Sequence, residues 1–255
     1  MKQANDIHDY FKVGTNSCEN GMLIQEMTFS LPSETVVLLI HLTKTVLVAK
    51  VSFSTPPLWP SSYSVDFQEE GHTPGAKPLY RNKGSWYYDF KHNIGRFDKG
   101  AGQQDFACQQ QAHHLSPNDL HAPCQLLFAK DTNMYVIYPN TQTCCTPCGE
   151  KEFCSLIKPD WLSNSTYVGT QVYEGSTCYG WAINGSTSKD YWFVTKMNVP
   201  CEYHQIPYRV SETIVSMNFT QESYKTDEPD QSLFLIPSYC KEKCPATVLS
   251  LQTFP

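Results

Sequence analysis

The sequence predicts an all-β domain, an antiparallel meander folded into a half-barrel or two stacked sheets around a hydrophobic cleft and stapled by disulfides. Three observations predict it. Aromatic residues make up 13% of the chain and charged residues 17%, with 15 Tyr and 17 Pro, which favours pleated, turn-rich structure over helix. From Trp59 onward, short aromatic runs are punctuated by turn residues every ~10 to 15 positions, the spacing of a meander. The 11 cysteines are dense for a chain of 255 residues, with four of them in "TCCTPCGEKEFC" at 143–154.

The elements follow in order. Tyr63-Ser-Val-Asp-Phe-Gln-Glu-Glu70 alternates and meets Gly71. Ser85 to Phe90 sets Trp86, Tyr88 and Phe90 on one face, because successive residues of a strand point to opposite sides. Leu126–Ala129 and Met134–Tyr138 flank the loop Lys130-Asp-Thr-Asn133, and Tyr167–Tyr173 and Cys178–Ile183 flank Glu174-Gly-Ser-Thr177; both read as hairpins. Tyr191–Thr195 and Cys201–Ile206 follow, and Glu212 to Tyr224 is the last extended run, closed by Asp227-Glu-Pro-Asp230. Helical signals are confined to Gln103–Ala112 and to Leu233-Phe-Leu-Ile236. Several strands carry large apolar residues on both faces, so the sheet needs a second layer, its own folded-over half, or an apolar guest.

Residues 1–54 read differently from 55–255. Val36-Val-Leu-Leu-Ile40, continued by Leu42 and Val46-Leu-Val-Ala49, is shorter than the ~20 apolar residues of a membrane span and carries Lys44. It suits the apolar part of a secretory leader, with Ser52-Phe-Ser54 as small residues before a mature start near Thr55; a buried strand is the alternative. The long segment ahead of it does not fit a leader, and Met22 or Met27 is a better-placed start for one. Only Cys18 lies before the cut, leaving an even set of cysteines, and N-x-S/T sequons stand at Asn164, Asn184 and Asn218. Parity, sequons and leader together point to a secreted chain or one of the endomembrane lumen, where thiols oxidise. Cys144, Cys145, Cys148 and Cys154 are therefore expected in disulfides rather than on zinc or in a redox pair, and adjacent Cys144 and Cys145 are expected to reach two different elements.

The net charge is −6 and the one short basic stretch, Lys241 to Lys243, is broken by Glu242, which argues against nucleic acid and against an anionic membrane surface. His113, His114, Asp119 and His121 are metal-ligating types, but their spacing matches no ligand pair on a helix and the segment reads as a solvated loop. No nucleophile motif occurs. Glu69/Glu70 and Asp227/Glu228/Asp230 are adjacent acids of the kind a glycosidase pairs across a cleft, and the latter are oxygen donors for calcium.

Short motifs resemble the ependymin-related proteins. Pro123-Cys124-Gln-Leu-Leu-Phe128, Asn133 to Tyr138 and Thr141-Gln-Thr-Cys144 are similar to that family's central hairpin. Asn164-Ser-Thr-Tyr-Val-Gly169 resembles its glycosylated segment, and Phe234 to Cys240 with Cys244 resembles its C-terminus. Lys158-Pro-Asp-Trp-Leu162, Tyr167-Val-Gly169 and Cys178-Tyr-Gly-Trp181, with Tyr88-Asp89 upstream, are closer still to uncharacterised secreted plant and protist proteins. The matches span about residues 59–245. The resemblance implies folded-over antiparallel sheets akin to bacterial lipoprotein carriers, a hydrophobic pocket, calcium association and a homodimer. It also implies a Cys124–Cys244 bridge and a partner for Cys240 in Cys144 or Cys145. The chain lacks the family's cysteine ahead of the first tryptophan, so Cys201 must bond elsewhere, and it adds Cys108, Cys148, Cys154 and Cys178.

The reading that unites these features is a non-catalytic secreted glycoprotein that binds a lipid-like ligand. Its expected ligand wall is Trp86, Tyr88, Phe90, Met134, Val136, Tyr138, Trp181, Trp192 and Phe193. A carbohydrate-active enzyme and an adhesion protein without a ligand are the alternatives.

Overall fold

In the computed structural model, residues 11–13, 17–19, 22–31, 34–40 and 49–52 are described as strands. The description then covers 55–73, 77–102, 105, 108, 121–149, 151, 154–208, 214–240 and 242–244. The chain divides into two compact units, 1–56 and 57–255.

The first unit is a five-stranded antiparallel sheet of β1 (Phe11–Val13), β2 (Ser17–Glu19), β3 (Met22–Leu31), β4 (Glu34–Ile40) and β5 (Ala49–Ser52). Val36 to Ile40 pair with Phe29 to Gln25, and β5 pairs with the other side of β4. Val36 to Ile40 of the apolar run are thus strand, a conformation that β-branched Val36 and Val37 favour, and Ala49 opens β5, while 41–48 lie outside the described residues.

The second unit contains β6 (Ser62–His72), β7 (Tyr80–Asp89), β8 (Ile94–Lys99), β9 (Cys124–Phe128), β10 (Asn133–Tyr138) and β11 (Thr143–Gly149). It continues with β12 (Thr166–Tyr173), β13 (Ser176–Asn184), β14 (Ser188–Thr195), β15 (Pro200–Pro207), β16 (Ile214–Phe219) and the short β17 (Glu242–Lys243). These form one twelve-stranded sheet, in which each run of consecutive strands is a meander and β16 returns to pair with β6. All but β17 are antiparallel to their neighbours. The order starts at β12 and ends at β17 beyond β11, so the sheet is open and not a closed barrel.

Ring distances show how strongly it curves. Trp86 on β7 and Trp192 on β14 are four strand spacings apart, about 19 Å along a flat sheet. Their ring centroids are 6.5 Å apart. The sheet bends around the face that carries both, and that inner face is a half-barrel. This is the arrangement the lipoprotein-carrier likeness implied.

The two expected hairpins are present. β9 and β10 enclose residues 129–132. Between β12 and β13 the turn is two residues rather than four, because Ser176 and Thr177 join the ladder. Glu174 and Gly175 both have positive φ (46° and 83°), as the type I′ turn of a tight hairpin requires. The long run ending at Tyr224 stops as a strand at Phe219, and Gln221–Ser223 is a 3-10 turn. Gln231–Phe234 is likewise 3-10. Of Gln103–Ala112, all but Asp105 and Cys108 lies outside the described residues.

The outer face is covered at one end by the C-terminal tail. Leu233, Phe234, Tyr239 and Cys240 pack on Tyr87, Ile94, Leu127, Tyr135 and Ile137. Two disulfides hold the tail, Cys144–Cys240 and Cys145–Cys244. Adjacent Cys144 and Cys145 therefore reach one element, not two. The tail runs parallel to β11, pairing Cys145 with Glu242 and Thr146 with Lys243, so it offers two cysteines to two successive positions. The expected Cys124–Cys244 bridge is replaced by Cys108–Cys124, because β9 lies two strands in from the edge the tail follows. Cys148–Cys154 and Cys178–Cys201 complete the set, so all four cysteines of 143–154 are staples.

Candidate functional site

Register builds the inner face from alternating residues. Val65, Trp86, Phe97, Leu126 and Val136 form one cross-strand row, and Tyr63, Tyr88, Gly95, Phe128 and Met134 form the next. From the other half come Trp181, Trp192, Tyr203 and Met217, also aligned strand to strand. Cross-strand neighbours on one face lie close enough to pack, so these rows make a continuous aromatic wall.

The centre of the wall is occupied by a residue that is on no strand. Trp59, in Pro57-Leu-Trp-Pro60, is 4% exposed. Its ring lies 4.7 Å from Trp192, 5.3 Å from Trp86, 5.4 Å from Trp161, and 5.7 Å from Tyr63 and Tyr88. Two backbone anchors hold its segment: Trp59 N–H donates to Pro159 C=O (3.0 Å), and Asn198 Nδ2 donates to Leu58 C=O (2.8 Å). Trp161 enters from the connection between β11 and β12, in a run of turns at 159–164. From the same connection Ile157 C=O accepts from Tyr88 Oη (2.7 Å).

The polar atoms of this cluster are unusual. The indole N–H groups of Trp59, Trp86, Trp161 and Trp192 and the hydroxyl of Tyr63 are buried without a hydrogen-bond partner. More than nine in ten buried polar groups are normally satisfied, and each exception calls for an explanation. Burial, with the neighbouring Tyr88 and Tyr224 phenols, raises the Tyr63 hydroxyl well above its ordinary pKa, and burial pushes Tyr224 to about 12. All are neutral donors at physiological pH.

One end of the wall carries charge. Lys99 is 2% exposed, and its Nζ is 2.8 Å from Glu69 and 3.1 Å from Asp105. It lies over the rings of Phe67 (4.8 Å) and Phe97 (5.5 Å). Burial, reinforced by Asp105, raises the Glu69 carboxyl above its usual range, while Lys99 opposes the shift. Nearby, Tyr138 Oη donates to Cys108 C=O (2.9 Å), so Asp105 and the bridged Cys108 lie at this end.

Of the expected ligand wall, Trp86, Tyr88 and Trp192 meet around Trp59, while Met134, Val136 and Tyr138 stand buried on β10 and Trp181 packs on Tyr167. Phe90 is on a 3-10 turn, stacked 6.3 Å from Tyr88. Phe193 is on the opposite face, against the Cys178–Cys201 bridge and His204, as its place next to Trp192 on one strand requires. Trp59, Tyr63, Trp161 and Lys99 were not in that set. A tryptophan between prolines, off any strand, is the sequence signal for a plug.

Three other features carry possible chemistry. Asp89, His92 and Glu228 each bring one ligand atom within 4.8 Å of one another, the only such set among the described residues. Gln231 Nε2 donates to both carboxylates (3.0 and 3.4 Å), and His92 Nδ1 is 2.7 Å from Asp89. In the same loop Asp227 is exposed and Asp230 caps the turn at Ser232. His113, His114 and Asp119 lie outside the described residues, and His121 is exposed. An open groove of about 530 Å3 on the outer face is lined by Asp66, Gln68, Lys83, Ser85, Asp98 and Gln125. Asp66 and Asp98 are two strands apart there, and Arg96 donates to Asp98 through Nε (2.6 Å) and Nη2 (3.0 Å). No helix among the described residues is long and apolar enough to cross a membrane.

No protein-family model matches the chain, and no curated protein does. The ependymin resemblance therefore rests on motif order. Among solved structures, an uncharacterized conserved protein from Thermus thermophilus is similar with a TM-score of 0.43 and 7% identity over 72% of this chain and 90% of that one. A DUF1329 family protein from Desulfovibrio piger gives 0.33 and 10% over 69% and 90%. MucB, in complex with MucA(peri), gives 0.34 and 12% over 73% of this chain and 57% of that one.

Proposed function

We propose that this chain is a secreted or lumenal glycoprotein that binds a hydrophobic ligand against the inner face of the half-barrel, without catalysis. The observation that carries the reading is the wall around Trp59: an open, curved sheet whose aromatic face is covered by the chain's own indole. Such a face is the chemistry of an apolar site, with few polar groups and large rings. Five disulfides favour an oxidising compartment. The sequons fit the same reading. Asn164 and Asn184 are exposed, and Asn218 is half-buried on β16. Cleavage before Thr55 would leave the unit 57–255 whole and put Trp59 close to the mature N-terminus.

Calcium association and a homodimer, both implied by the ependymin resemblance, belong to the same proposal. Asp89 and Glu228 supply carboxylate oxygens for the ion. β12 ends the sheet with Val168 and Val172 exposed, a strand suited to pairing with a second copy.

The test is native mass spectrometry of glycosylated material from a secreting host, followed by lipid extraction. One co-purifying apolar species per chain is the expected result. A ligand-free protein that takes up no added lipid favours an adhesion or structural role instead.

A further inference from the structure

We infer that the ligand is a neutral amphiphile, an apolar chain bearing uncharged acceptor oxygens such as an ester or hydroxyl, which takes the place of the Trp59 ring and accepts from the unpaired donors around it. The inference rests on the binding role proposed above and deepens it. Four unpaired donors surround the Trp59 ring: the indole N–H of Trp86, Trp161 and Trp192 and the Tyr63 hydroxyl, all on rings within 5.7 Å of it. A pure hydrocarbon would leave all of them unsatisfied. Acceptor oxygens would satisfy some, and an unmet buried donor is costlier than the modest net worth of the bond that meets it.

Charge decides which acceptor. Phe97 stacks on Trp86 at 4.7 Å, and beyond it lies Lys99, already paired to the carboxyls of Glu69 and Asp105. Asp160 follows Pro159, whose carbonyl accepts from the Trp59 N–H. A carboxylate or phosphate brought here would be desolvated beside acids, with the buried cation already engaged. An uncharged oxygen meets no such penalty. The plug can leave because one backbone hydrogen bond, one hydrogen bond from the Asn198 side chain and one indole hold it, and because Leu58 beside it is 63% exposed.

The experiment follows tryptophan emission of delipidated, glycosylated protein titrated with 1-oleoylglycerol, oleate and octadecane. Binding of 1-oleoylglycerol at least about tenfold tighter than oleate is expected, since the carboxylate lacks a free cation. Oleate binding as tightly or more tightly overturns this inference and leaves the apolar-binding role standing. If none of the three binds, the proposed function itself falls. Tyr63→Phe removes only the unpaired oxygen. It is expected to melt no lower than wild type and to bind 1-oleoylglycerol about fivefold more weakly, the worth of one neutral hydrogen bond. Trp86→Phe provides the same readout on a second donor. Unchanged affinity in both folded variants overturns the role of the donors.

Discussion

At the scale of single residues, two tyrosines separate a satisfied hydroxyl from an unsatisfied one. Tyr203 Oη donates to Asp190 (2.9 Å), a fully buried acid that also accepts from Ser188, whereas Tyr63 Oη has no partner. Tyr203→Phe strips a donor from a buried carboxyl, whose pKa burial already raises, and should destabilise the fold by about 1–3 kcal/mol in urea melts. Tyr63→Phe, the same deletion, should not. Lys99 gives a test with a pH signature. Lys99→Met leaves Glu69 and Asp105 facing each other without the cation, and should cost about 3–5 kcal/mol at pH 7. Burial and Asp105 raise the folded Glu69 carboxyl, so the folded variant holds a proton that the unfolded chain has already released. Its stability must then fall as pH rises above the ordinary Glu value and recover on acidification. Denaturant melts at pH 4 and pH 7 should show the gap to wild type narrowing at pH 4. A gap independent of pH would mean that Glu69 is not the group left stranded.

At the scale of elements, the C-terminal tail is held twice over. Cys144–Cys240 and Cys145–Cys244 close loops of 96 and 99 residues that are almost the same loop. Breaking either one leaves the other closing nearly the same length of unfolded chain. Replacing either pair by serines should therefore cost about 2 kcal/mol, the entropy of the small loop the second bridge closes beside the first, while replacing both should cost about 6–7 kcal/mol, since the ~100-residue loop is then lost as well. The Cys178–Cys201 bridge spans 23 residues with no second closure, so its removal alone should cost about 3 kcal/mol. Thermal melts of these variants order the predictions, and additive losses for the two tail bridges would refute the redundancy. β8 shows what pattern-reading overlooks. Its inner positions are Gly95, Phe97 and Lys99, so the strand has no apolar alternation to notice. It exists because β7 and β9 pair with it on both sides.

At the scale of the whole molecule, the disulfides act together. The loops closed by Cys148–Cys154 and Cys178–Cys201 lie inside the tail's loop and shorten it only modestly, so the combined effect is on the order of 10 kcal/mol. Domain stabilities are about 5–15 kcal/mol in total, so full reduction should leave the chain largely unfolded at 37 °C. Far-ultraviolet circular dichroism with and without a reductant reads this directly. A reduced chain that keeps its β signal would show that the aromatic interior suffices without the bridges. The open ends of the sheet differ as well: β17 and the tail lie along β11, while β12 presents Val168 and Val172 to solvent. Pairing along β12 is where self-association would begin.

Local chemistry made much of this molecule legible in its sequence. Turn residues at regular intervals, aromatic alternation and an even cysteine set past residue 54 imply a stapled antiparallel sheet, because each acts on neighbours a few positions away. The hairpin across Glu174-Gly-Ser-Thr177 follows from turn chemistry and period, although its turn narrows to Glu174-Gly175 once Ser176 and Thr177 join the ladder. Cysteine pairing and the plug did not follow. Cys124 bonds Cys108 rather than Cys244, Phe193 turns away from Trp192, and Trp59 fills the place assigned to a guest. Each depends on which strands end up side by side, a matter of contacts between residues distant in the chain, and only the folded sheet brings those residues within reach.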